Sequence, residues 1–207
     1  MTSPASKSRR PWGRSAALAL GICLLAAGLG GSRAAAEPDL WALLRAGGQI
    51  VLMRHGTTYP ESGEARGARV EICATQRNLS DSGREEARRV GAAFREQGIP
   101  VGKVLSSRWC RCLDTARLAF GRVEPWPDLE FAGFADSPEK VRRDRALRDL
   151  AGQQPEQGNT ILVSHGFVIA PLVGGSPAPA EFFVLSPLGA GTFRVAGRLA
   201  PSQLNSR

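Results

Sequence analysis

The sequence predicts an α/β domain: a three-layer α/β/α sandwich around a mostly parallel sheet. Two observations carry that expectation. Short, almost wholly apolar runs, Ile50–Met53 and Thr160–Val163, have the length and β-branched content of strands buried on both faces. Between and after them lie amphipathic stretches with helix-capping residues at one end and glycine at the other.

The elements follow in chain order. Residues 39–45 form a short helix with Leu40, Leu43 and Leu44 on one side, ended by Gly47 and Gly48. The strand Gln49–Met53 stops abruptly at Arg54-His55-Gly56, and the polar, Gly- and Arg-rich residues 57–73 read as a loop. Ser80, Asp81 and Ser82 cap a helix running to about Gln97, whose core stripe is Ala87, Val90, Gly91 and Phe94. Val101–Leu105 is a second strand, and Ser106-Ser107 is expected to cap a helix through Phe120. Residues 123–129 are extended and broken by Pro125 and Pro127, and Pro138–Leu150 is a charged amphipathic helix. The third buried strand, Thr160–Val163, ends at Ser164-His165-Gly166, and a helix begins at Phe167. Residues 174–180 read as a surface loop, and the runs 182–185 and 192–195 pair as strands across a Gly-rich turn.

The N-terminus is set apart by composition. Lys7, Arg9, Arg10 and Arg14 precede an apolar run from Ala16 to Leu29, and small residues lead to Ala34-Ala35-Ala36. That order is the layout of a secretory signal peptide cleaved after Ala36, leaving one domain over residues 37–207. An uncleaved anchor is the alternative, but the run falls short of the roughly 18–20 apolar residues that span a bilayer. Ile22 before Cys23 is too bulky for a lipid-attachment motif, and Arg9-Arg10 is compatible with twin-arginine export. The expected location is periplasmic or secreted, with no stable membrane insertion after cleavage.

The leader also accounts for much of the basic character. The chain has 27 Lys and Arg against 19 Asp and Glu, and five of those cations precede residue 37, leaving a mature excess of three. Such a balance gives no argument for a nucleic-acid partner. Of four cysteines, Cys73, Cys110 and Cys112 follow the leader. Cys110 and Cys112 are too close for an easy mutual bridge, so a disulfide is expected from Cys73 to one or the other. They are too few for a metal site, and no cofactor is expected.

The chemistry centres on the only two histidines, His55 and His165. Each follows a buried-type strand and precedes glycine. The C-terminal ends of parallel strands converge on one edge of a sheet, where ligands bind, so the two imidazoles are expected in one cleft.

Four motifs then resemble, in order, those of the histidine phosphatase superfamily, with its phosphoglycerate-mutase-like fold. They are Leu52-Met53-Arg54-His55-Gly56-Thr57; Arg77-Asn78-Leu79-Ser80 with Gly83, Arg84 and Ala87; Leu105-Ser106-Ser107 with Arg111, Thr115 and Ala116; and Val163-Ser164-His165-Gly166. The resemblance implies a cofactor-independent phosphatase in which His55 takes the phosphoryl group and water releases it. Arg54, Arg111 and His165 would hold the phosphate oxygens, since phosphoryl transfer needs mostly positioning and charge. Thr57 would serve as a hydroxyl donor to phosphate or as a turn residue, and Arg108, on the same expected helix face as Arg111, as a widening of the basic patch or a solvated cation. Thr58 stands where the larger phosphatase branch has arginine, and Gly166 where that branch has an acid, which implies the smaller, mutase-like branch. Glu130 is the expected general acid, with Asp128 and Asp136 as rivals. The implied substrate is a small-molecule or glycan phosphate ester, such as an envelope glycan phosphate, or a phosphohistidine protein. The alternatives are a mutase, which the leader disfavours, and a non-catalytic binder of a phosphorylated ligand.

Overall fold

The computed structural model describes residues 39–59, 67–130 and 137–204, all within the unit Glu37–Arg207. Residues 1–38, 60–66, 131–136 (Asp136 among them) and 205–207 lie outside the described residues. The elements are α1 (Leu40–Ala46), β1 (Ile50–Arg54), α2 (Asp81–Glu96), β2 (Val101–Ser106), α3 (Cys110–Phe120), β3 (Glu124–Pro125), α4 (Pro138–Ala151), β4 (Asn159–Ser164), α5 (Gly166–Val173), β5 (Phe182–Gly189) and β6 (Thr192–Leu199). They build one sheet in the order β3-β2-β4-β1-β5-β6. The first four strands run parallel, and β5 and β6 close the sheet as an antiparallel hairpin.

Strand alternation sorts the core into two layers. Val51, Met53, Ile161 and Val163 face one side with Leu44 of α1, Val90 and Phe94 of α2, and Ala116 of α3. Ile50, Leu52 and Leu162 face the other with Leu147 and Ala151 of α4 and Ile169 of α5. Both faces of the parallel strands are therefore covered, which is why their sequences read as unbroken apolar runs. Phe94 anchors the first layer, meeting Phe182, Phe120 and Trp41 edge-on with centroids 5.5, 5.3 and 6.2 Å away. Burying a side chain of that size contributes roughly 1.5–3 kcal/mol.

Two details depart from expectation. Serines do not cap α3: the helix starts at Cys110, with Trp109 as the flanking residue. Its first N–H instead donates to Gln76 Oε1 at 2.8 Å, a partner thirty-four positions upstream. The segment 174–180 is not simply a surface loop, because Ala180 is fully buried and Pro177 lends its carbonyl to Arg54.

A disulfide joins Cys73 to Cys110, and Cys112 is left as a buried free thiol. The bridge and the Gln76 side chain together fix the segment leading to Arg77 against the start of α3. Closing a loop with a sequence separation of 37 residues should stabilise the fold by roughly 4 kcal/mol in the chain-entropy picture. A Cys73→Ser/Cys110→Ser double variant is therefore expected to unfold at clearly lower denaturant than the oxidised parent. Equal midpoints would show that the bridge constrains nothing.

Candidate active site

The register of the parallel pair β1 and β4 sets up the site. Arg54 lies opposite Ser164, so the next residues, His55 and His165, leave the sheet side by side. The His55 backbone N–H still donates to Ser164 O at 3.0 Å, and the two rings lie 5.4 Å apart between centroids. Two histidines 110 positions apart in sequence thus share one cleft, as the strand-end argument predicts. Arg111 arrives from the first turn of α3, which follows β2 on the other side of β4.

Glycine at 56 is required by backbone proximity. A Cβ there would come within 2.5 Å of Gly83 O, and one on Gly83 within 2.0 Å of Thr57 O. The loop after β1 and the first turn of α2 can pack this closely only without side chains at both positions. Thr57 then locks the contact: its N–H and hydroxyl donate to the two oxygens of Glu86 at 2.8 and 2.7 Å. This corrects the expectation that the Thr57 hydroxyl reaches phosphate, because a carboxylate from α2 already holds it.

The cleft, about 380 Å³, is lined by Arg54, His55, Arg77, Arg111 and His165, with Trp109, Gly166, Phe167, Ala170 and Ser176 around them. Three guanidiniums and two imidazoles line it, with no carboxylate among the described lining residues. Arg54 is anchored by Nη1 donating to Pro177 O at 2.8 Å, while its buried Nε–H has no partner among the described residues. The Arg111 guanidinium lies over the Trp109 ring, 4.9 Å from its centroid, and Nη2 approaches His165 Nδ1 at 3.4 Å. Such stacking orients the planar fork that suits a tetrahedral oxyanion.

The protonation of His55 follows from its neighbours. Nδ1 lies 2.8 Å from Gly56 O, and a carbonyl only accepts, so Nδ1 carries the hydrogen and Nε2 keeps its lone pair. Burial, followed by the charges of Arg111, Arg54 and Arg77, lowers its pKa from 6.5 to about 3. His165 is likewise held well below the usual value, by burial first and then by Arg111. Both rings are neutral at ordinary pH, which is the form in which imidazole is a nucleophile.

A pH dependence follows. Both folded-state values lie below the unfolded one, so below pH 6.5, and for His55 down to about 3, the unfolded chain binds more protons. The stability these groups contribute is present above pH 6.5 and is lost as pH falls through that window. Ring-proton NMR of the ligand-free protein is expected to show neither histidine titrating near pH 6.5. A midpoint near 6.5 for His55 would contradict the buried, cation-flanked environment.

The expected general acid is not in the cleft. Glu130 is buried, but Arg108 binds both its oxygens, the longer contact being 3.1 Å, and Arg143 lies 3.9 Å away. The carboxylate thus neutralises two guanidiniums beside the cleft instead of lining it. Arg108 is correspondingly a half-exposed ion-pair partner, not a free solvated cation. Asp128 is held by Arg142 at 2.6 Å.

Sequence reasoning missed Arg77, Trp109 and Phe167 as cleft residues. Arg77 precedes the α2 cap, and a bridge between Leu79 and Thr58 draws its segment to the cleft. No local pattern reports that pairing. Trp109, two positions before Arg111, was the more accessible signal, since an aromatic next to a site arginine is a ready stacking partner.

The fold and the paired strand-end histidines are those expected of the histidine phosphatase superfamily, and part of the chain matches that superfamily in sequence. Residues 50–136 match the sequence profile of that superfamily's branch 1. The fold is similar to that of the protein histidine phosphatase SixA complexed with tungstate, at 19% identity and a TM-score of 0.54, over 76% of this chain and 99% of that one. It is also similar to a phosphoserine phosphatase mutant from Entamoeba histolytica in complex with phosphoserine, at 15% identity and a TM-score of 0.56, over 75% and 98%. A mycobacterial glucosyl-3-phosphoglycerate phosphatase is a third, at 18% and 0.51, over 71% and 97%. No curated protein matches the chain in sequence.

Proposed function

We propose that the protein is an exported phosphomonoesterase that works through a phosphohistidine on His55. The observation that carries this reading is the orientation of His55: a backbone carbonyl takes Nδ1–H, leaving the Nε2 lone pair in a cleft with three arginines. In the first step Nε2 bonds to phosphorus while the ester P–O bond breaks, and the leaving oxygen departs with the electron pair and is protonated. In the second step a water oxygen bonds to phosphorus, the P–N bond breaks, and Nε2 recovers its lone pair. Arg54, Arg111 and Arg77 would bind the phosphoryl oxygens, with His165 beside them, supplying charge where it develops. Export is supported by the basic and apolar order of residues 1–36 and by the Cys73–Cys110 bridge, which belongs to an oxidising compartment.

The substrate reading is a phosphate borne on a bulky carrier, either an envelope glycan phosphate or a phosphohistidine protein. Phe167, 68% exposed on the solvent side of the cleft, is placed to meet such a carrier. One observation favours a second reading, a phospho-ligand binder without turnover: Glu130 is engaged by Arg108 and does not line the cleft. Purified protein spanning residues 37–207 is expected to release p-nitrophenol from p-nitrophenyl phosphate and to be inhibited by vanadate. Anion binding without any turnover of aryl phosphate or phosphohistidine would support the binder.

A further inference from the structure

The two histidines of the cleft are held by chemically different partners. Gly56 O can only accept, so it fixes His55 in one tautomer. His165 Nε2 instead lies 2.9 Å from the Ser107 hydroxyl, which both donates and accepts. Ser107 is fully buried, so Nε2 points into the protein, and Nδ1 is the ring nitrogen on the Arg111 side. A guanidinium only donates. With no anion bound, Nδ1 therefore accepts from Arg111, and the ring hydrogen sits on Nε2 and is donated to Ser107 Oγ. The buried thiol of Cys112, also amphoteric, neighbours both groups: it sits beside the Ser107 hydroxyl and lies 3.6 Å from His165 Nε2 and 3.8 Å from Nδ1.

That tautomer suits an empty cleft and not a filled one. A phosphoryl oxygen drawn to Arg111 would meet the lone pair of Nδ1, which repels it. We infer that Ser107 is a positioning residue that lets His165 change tautomer when an oxyanion enters the cleft. On binding, one proton leaves Nε2 and one is taken up at Nδ1, exchanged with water, so the ring stays neutral. The Ser107 hydroxyl turns round to donate to Nε2, and the Cys112 thiol donates to Ser107 Oγ in place of accepting. No buried donor or acceptor is stranded in either state, whereas a carbonyl or carboxylate at position 107 would forbid one of them. Nδ1–H then faces the phosphoryl oxygen. The inference rests on the reading of the cleft as an oxyanion site and adds how its second imidazole becomes a donor.

The test uses sulfate, which has no proton to donate to Nδ1 near neutral pH, and the fact that the chain has only two histidines. Ring 15N spectra of the mature protein should show His55 as the Nδ1–H tautomer throughout. His165 should be Nε2–H without sulfate and Nδ1–H at saturation. In Ser107→Ala, kcat for aryl phosphate should fall about tenfold, the scale of one ordinary hydrogen bond, with KM changed far less, and Ser107→Cys should restore part of it. If sulfate shifts the His55 signals while His165 stays Nε2–H, or becomes doubly protonated, the switch is overturned and the anion site stands. If sulfate at saturating concentrations perturbs neither ring, the anion site fails and the switch with it.

Discussion

His55→Ala is expected to reduce turnover of any phosphate ester to the background rate. The substitution removes the Nε2 atom proposed to bond to phosphorus, and the described lining residues offer no serine–base pair or thiolate to replace it. Cys112 is no substitute, because it is fully buried and burial pushes its thiol up to about 12. His165→Ala leaves the nucleophile in place and removes one donor at the developing charge, so a loss of about 10²–10³ in kcat with residual activity is expected. The contrast between total and partial loss separates the two imidazoles by role. Comparable residual activity in both variants, in a steady-state assay of the same aryl phosphate, would remove the distinction.

Arg111→Ala is expected to have the next largest effect, lowering kcat/KM by roughly 10³ and weakening phosphate or vanadate binding at the same time. Each hydrogen bond from a guanidinium to an anion contributes about 1.5–3 kcal/mol, and a fork supplies two in ground and transition states alike. Arg111 also sits over Trp109 and donates towards His165, so its removal loosens two neighbours of the phosphate. Arg111→Lys should recover little, because an ammonium neither forks onto two oxygens nor stacks as a plane on indole. Recovery of most activity by lysine would mean that position 111 acts through charge alone.

Much of the fold was legible because its information is local. Val51 and Met53 sort to one face of β1 and Ile50 and Leu52 to the other, so burial on both sides leaves an apolar run that sequence displays directly. The meeting of His55 and His165 was legible too, since parallel strands aligned by their ends must deliver both to one edge. What sequence could not show depends on pairing across distance. Gln76 caps α3 from thirty-four positions away, where two serines next to the helix looked sufficient. Thr57 has a hydroxyl that suits phosphate, yet the approach of Gly56 to Gly83 brings Glu86 within reach and commits that hydroxyl. Glu130 occupies the right stretch of chain for an acid, but Arg108, three residues before Arg111, takes both its oxygens. In each case a side chain of suitable chemistry found a nearer partner, and only three-dimensional register decides which partner that is.

The central claim is that phosphate passes through a covalent bond to His55 Nε2. It is tested most directly by quenching the wild-type protein with alkali during turnover of 32P-labelled phosphate ester and mapping the label by peptide. Phosphohistidine survives alkali and is lost in acid, so the account predicts alkali-stable, acid-labile label confined to the peptide containing His55. Label on His165, on Ser107 or on a cysteine, or rapid turnover with no trapped label at any quench time, would contradict it.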